Sequence, residues 1–212
     1  MGRNRTLSII SLLLGPAFVF VIGCGGDRGD PYWPPRIDAV AAGRAAIAEY
    51  DTNGDGKISG AELDRCPGVK AAIHQIDPSG NGAVTSETIK ARIQAWRDSK
   101  LGRMFVKCRV VHNGRPVPSA EVKFVPEEFL GPIVPTASGT TDKNGVAIMS
   151  YRRVAGEPPG VAPGFYRIEI IKRGANIPAK YNTESILGLE IAMDADWMAK
   201  CAGKPIEFDL DY

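Results

Sequence analysis

Apolar and polar positions change their period twice along this chain. From Leu7 to Gly23 the residues are uncharged and mostly apolar, interrupted by Gly15-Pro16. From Ile37 the apolar residues step by three and four: Ile37, Val40, Ala41, Ile47 and Tyr50, then Ile73 and Ile76, then Ile89, Ile93 and Trp96. That spacing predicts helices with one buried face, and Pro67-Gly68 breaks the run between them. Around residues 99–103 the period falls to two. Met104–Val111, Ala120–Val125, Ser138–Thr141, Val146–Tyr151, Phe165–Ile171, Leu187–Met193 and Ile206–Leu210 read as short strands separated by turn residues such as Asn113-Gly114. Seven such strands predict an antiparallel β-sandwich behind a small helical unit, a multidomain α plus all-β chain.

The N-terminal run reads as an address. Arg3 and Arg5 precede an apolar stretch close to the ~17–25 residues a spanning helix needs, and Gly15-Pro16 suits a secretory signal better than a span. Val21-Ile22-Gly23-Cys24 then resembles the lipobox of bacterial lipoproteins. The resemblance implies cleavage before Cys24 and lipidation of its thiol, with acyl chains holding the protein to a membrane at ~0.8 kcal/mol per buried methylene. Residues 24–36 read as a flexible tether stiffened by Pro34-Pro35. By analogy, the absence of an acid beside Cys24 favours the outer membrane of a diderm envelope.

Within residues 37–98, Asp51-Thr52-Asn53-Gly54-Asp55-Gly56-Lys57-Ile58-Ser59-Gly60-Ala61-Glu62 matches the EF-hand calcium-loop pattern at every defining position. Asp51, Asn53 and Asp55 offer alternate side-chain oxygens and Gly56 permits the sharp turn. Lys57 would contribute its carbonyl, Ser59 an oxygen directly or through water, and Glu62 both carboxylate oxygens. A second frame runs from Asp77 to Thr88, with Asp77, Ser79, Asn81, the Ala83 carbonyl and Thr85 as oxygen donors. Its closing position holds Thr88, and the acid stands one place early at Glu87. One residue is ~100° of helix rotation, so Glu87 is expected to miss an ion. The second loop is read as a weak, degenerate partner, bridged to the first through Ile58 and Val84. His74, with no second ligand at a metal spacing, is expected on the surface.

Residues 102–212 carry a second resemblance. Val106–Val111 leading into Asn113-Gly114-Arg115-Pro116-Val117 and Ala120-Glu121-Val122, with Thr141–Gly145 and Pro163–Ile168 further on, resembles carboxypeptidase-regulatory-like or transthyretin-like domains. Ile177–Asn182 resembles a phrase in predicted bacterial surface lipoproteins carrying that domain. A prealbumin- or Ig-like sandwich is implied, and no catalytic residue is carried over. Asp142 is expected to make a turn. With Cys24 removed, Cys66, Cys108 and Cys201 remain; an oxidising compartment and their placement suggest a Cys108–Cys201 disulfide.

Charge and composition exclude more than they identify. The 212 residues carry a formal charge of +2, which the two arginines of the signal region account for. No basic surface for nucleic acid is expected. His112 stands without a partner at a catalytic spacing, and no G-x-S-x-G, H-E-x-x-H or phosphate loop occurs. The expectation is a non-catalytic, lipid-anchored envelope protein binding Ca2+ as a structural staple. The alternative is an adhesion module whose sandwich binds a glycan or surface protein, with the EF-hand pair as a calcium-stiffened spacer.

Overall fold

The computed structural model describes residues 33–151, 160–201 and 203–212. The expected signal segment and Cys24 lie outside the described residues. Among those described, no helix is long and apolar enough to cross a membrane. The class is α+β, with helices followed by two largely antiparallel sheets.

Helix α1 (Ala39–Tyr50) begins where the Asp38 carboxylate accepts the N–H groups of Val40 and Ala41 at 3.1 and 3.0 Å. A loop leads to strand β1 (Lys57–Ser59), a 3-10 segment (Gly60–Arg65), and short helices α2 (Pro67–Ala71) and α3 (Ile73–Ile76). A second loop leads to β2 (Ala83–Thr85) and α4 (Ser86–Asp98). The buried face of α1 differs from the expected stripe. Ala39, Ala42, Gly43, Ala46 and Tyr50 are inside, while Val40 is 44% exposed. Small side chains let α1 lie close on α4: a Cβ added at Gly43 would stand 2.4 Å from the Ser86 carbonyl oxygen. Packing, rather than side-chain size alone, chose the face.

The remaining strands are β3 (Val106–His112), β4 (Arg115–Pro116), β5 (Glu121–Pro126), β6 (Ala137–Thr140), β7 (Val146–Met149), β8 (Gly164–Ile171), β9 (Gly188–Ile191) and, after helix α5 (Asp196–Cys201), β10 (Ile206–Leu210). One sheet has the order β6-β5-β8-β9, antiparallel throughout. In the other, β3 pairs antiparallel with β4 and β7 and parallel with β10, Ile206 standing opposite Cys108. That parallel pair corrects the all-antiparallel expectation; the long connection through the second sheet and α5 returns the chain in the direction of β3. The buried faces meet at Phe124 and Phe208, whose rings cross edge-on at 6.3 Å. Asp142 does make the turn before β7, accepting the N–H groups of Asn144 and Val146 at 2.8 and 2.9 Å.

The expected Cys108–Cys201 disulfide is absent. Cys66, Cys108 and Cys201 are all free. Cys108 points into the core with Sγ 3.5 Å from Met149 Sδ, whereas Cys201 closes α5 and is only half-buried. Burial pushes the Cys66 and Cys108 thiols up to about 12, so neither is a ready nucleophile.

Helices and sheets share one continuous core. Trp96 of α4 lies against Phe165 of β8, ring centroids 4.5 Å apart. Gly188 of β9 faces Pro67 so closely that a Cβ there would fall 1.7 Å from the Pro67 carbonyl oxygen. Two buried carboxylates complete the junction. Glu127, 2% exposed, accepts the Tyr50 hydroxyl at 2.9 Å and the Gly68 N–H at 2.8 Å. Glu190, 3% exposed, accepts Arg92 Nε at 2.5 Å and Trp96 Nε1 at 2.8 Å, while the Arg92 fork grips Asp194 at 2.7 and 2.8 Å. Burial raises the Glu190 carboxyl against the pull of Arg92, and the same guanidinium holds Asp194 below its ordinary range.

Burial pushes the Glu127 carboxyl up to about 7, partly offset by the bonds from Gly68 and Tyr50. In the unfolded chain a glutamate titrates near ~4.3. Between these values the folded state holds the extra proton, so stability falls as pH rises through that window, by ~3 kcal/mol in all, and then levels. Glu190 shifts in the same direction, so the contribution of Glu127 is the difference between natural chain and variant. Urea unfolding from pH 4.5 to 7.5 should show that decline shrinking by about that amount in Glu127→Gln. Parallel profiles would assign the dependence to other groups.

Candidate metal centre

The loop from Asp51 to Glu62 is held open by its own backbone. Asp51 ends α1, its N–H bonded to the Ile47 carbonyl at 3.0 Å. Its two carboxylate oxygens then accept the N–H groups of Gly54 at 2.7 Å and Gly56 at 2.8 Å. Both glycines have positive φ, +77° and +80°, a conformation that Cβ-bearing residues rarely adopt. Asn53 accepts the Asp55 N–H at 2.8 Å, and Asp55 accepts that of Lys57 at 3.0 Å. Each of the first three oxygen-bearing positions therefore fixes a turn of the loop. The exit closes on Glu62, 6% exposed, whose oxygens accept Thr52 N–H at 2.8 Å, Thr52 Oγ1 at 2.9 Å and Ser59 N–H at 3.1 Å. These bonds, led by that from Ser59, hold the Glu62 carboxyl below its ordinary range. Lys57 and Ser59 are the ends of β1.

The second loop repeats this wiring. Asp77 accepts the N–H groups of Gly80 at 3.0 Å and Gly82 at 2.7 Å, and Asn81 accepts that of Ala83 at 2.9 Å. Ser79 donates its hydroxyl to Asp77 at 2.6 Å, the main reason the Asp77 carboxyl lies below its ordinary range. β1 and β2 join the two loops, Ile58 opposite Val84, both fully buried. The loops differ at the close. Thr88 exchanges capping bonds with Thr85, N–H to Oγ1 at 3.3 Å and 3.0 Å in return. Glu87 points to solvent and pairs with Lys90 at 2.9 Å. It takes no part in the loop, as its position on the helix required. His74 is exposed.

Among the described residues, no three His, Cys, Asp or Glu side chains cluster as a metal-holding group. The acidic oxygens of the first loop face backbone N–H groups instead. Its donor set still fits a hard cation. All candidate donors are oxygens, three of them carboxylates, and no described Lys or Arg pairs with Asp51, Asp55 or Glu62. The second loop brings one carboxylate to the same frame.

Sequence reasoning missed Glu127, Arg92 and Glu190, which bind the loop-bearing helices to the sheets. Arg92 carried a signal: it stands among Ile89, Ile93 and Trp96 at helical spacing, a cation inside an apolar stripe. Comparison with protein-family models, characterised proteins and solved structures finds no match to this chain.

The closing residue is the testable difference between the loops. Glutamate also serves as the third residue of a capping box, so Thr88→Glu should keep the start of α4 and add the missing carboxylate. Calcium titration calorimetry should then show a second binding step that the natural chain lacks. A single step in both would mean that charge at this position does not limit the second loop.

Proposed function

We propose that this chain is a calcium-binding, non-catalytic lipoprotein of the bacterial cell envelope, anchored through Cys24. In this reading residues 37–98 are an EF-hand pair with one competent loop, and residues 102–212 a sandwich of the carboxypeptidase-regulatory-like kind. The observation that carries it is the wiring of the first loop. Asp51 secures Gly54 and Gly56 while Glu62 closes on Thr52 and Ser59, so all the candidate ligands lie on one hydrogen-bonded turn. Asp51, Asn53, Asp55, Ser59, Glu62 and the Lys57 carbonyl would hold the ion. Bound calcium would supply the positive charge that the three carboxylates of this loop lack.

Packing supports a staple rather than a signal. A calcium sensor opens its helices to expose an apolar groove. Here the apolar faces of α2 and α4 are already covered by β8 and β9, with Trp96 on Phe165 and Gly188 on Pro67. For the same reason, a helical unit acting only as a spacer before an adhesive domain is the weaker reading. Extracellular calcium modules bind near ~10⁻⁴–10⁻³ M, so ambient calcium would keep such a loop filled.

At a hundredfold excess over Kd, calcium should add ~2.7 kcal/mol and raise Tm by about 5–10 °C relative to chelated protein. Glu62→Gln should abolish most of that rise and weaken the calorimetric signal. An unchanged Kd in the variant would overturn the assignment. Lipidation has its own check: cells given an alkyne-tagged fatty acid should label the natural protein and leave Cys24→Ala unlabelled. Equal labelling of the two would move the anchor elsewhere.

A further inference from the structure

A cavity of about 330 Å³ opens between α5 and the start of β3. Met104, Phe105, Met193, Trp197 and Met198 supply its apolar wall. Phe105 and Met193 are more than half exposed, and Ile148, opposite Lys107 in the sheet, extends the apolar surface beyond the mouth. The Trp197 indole N–H is already spent on the Glu190 carbonyl at 2.7 Å, so its ring offers only apolar surface. Methionine thioethers adapt to an irregular aliphatic occupant.

The polar part of the lining is of one sign. Lys107 and Lys204 line the cavity, and no acidic residue does among those described. Neither lysine is ion-paired among the described residues; the Lys107 ammonium lies 5.4 Å from the Phe105 ring centroid. Lysines beside an apolar slot without acids complement a ligand with one anionic end and one aliphatic tail. The volume stands at the low end of small-molecule pockets, ~300–1,000 Å³, which suits a single medium-length chain rather than a protein segment.

We propose that this cavity binds a medium-chain fatty acid, tail against the methionines and Trp197, carboxylate at Lys107 and Lys204. The site is separate from the calcium loop, and its test does not depend on calcium. Cys201 also lines the cavity and is half-buried, while Cys66 and Cys108 are fully buried, so its alkylation reports occupancy.

The full chain would be titrated calorimetrically with decanoate, decanol and decyltrimethylammonium, each below its micellar range, and Cys201 alkylation mapped with and without decanoate. Decanoate should bind one-to-one and slow alkylation of Cys201; decanol should bind about tenfold more weakly, and the cation not measurably. Lys107→Glu combined with Lys204→Glu, both exposed and so tolerant of change, should weaken decanoate binding about tenfold, a few-fold for each charge contact. Equal binding of decanol and decanoate, unprotected Cys201, or an unaffected double variant would each overturn the proposal. So would capture by anionic phospholipid vesicles without uptake of monomeric decanoate, which would make the patch a membrane contact.

Discussion

The structure depends on finding donors for two carboxylates where water cannot reach, fully for Glu127 and through one oxygen only for Glu190. Glu127 and Glu190 lie at the junction of helices and sheets, and both accept donors from helices: Tyr50 of α1 and Gly68 of α2 for one, Arg92 and Trp96 of α4 for the other. A buried polar group without a partner costs several times what a made hydrogen bond returns. Sliding the helices off the sheets would strand both acids. The apolar surface around them, Trp96 on Phe165 and Val69 at zero exposure, supplies adhesion. The carboxylates supply position, because hydrogen bonds are directional and hydrophobic contact is not.

That fixed position reaches the loop. Tyr50 is the last residue of α1 and Asp51, its neighbour, opens the loop. Anchoring the Tyr50 hydroxyl on Glu127 therefore orients the end of the helix from which the loop departs. On the other side, the Ile58–Val84 pairing ties the exit of one loop to that of its twin. The second loop, poor in charge, still contributes a strand and a buried valine. Its shape does not need a carboxylate at the closing position, since Asp77 and Asn81 accept the loop's own N–H groups.

Much of this was legible in the residues. The first loop declares itself because its geometry is local: side chains cap N–H groups two to ten positions away, all within the loop, so spacing is structure. Seven of the eight strands of the two larger sheets were visible from their period of two, with ends displaced by at most two residues, and the short β4 was not. What escaped was non-local. The face of α1 was misjudged because alanines carry weak hydrophobic contrast and α4 decided which would be covered. The parallel β10–β3 pair has no mark in either strand's own pattern. Helix α5 falls in the stretch between the last two predicted strands, which was given no element, because its six residues are too few to show a period. Glu127 and Glu190 look like ordinary surface acids until the partner element is in place.

The parallel strand also orders assembly in time. β3 is central in its sheet, and one of its edges is covered by β10 alone, from a segment almost a hundred residues downstream. Contacts of such long sequence separation form late. On a ribosome the two loops and their helices emerge first, rich in short-range contacts, while β3 waits with an open edge for residues 206–210. An unpaired edge is a template for other strands. During that interval the nascent chain is most exposed to wrong partners, and protection would have to come from outside its own fold.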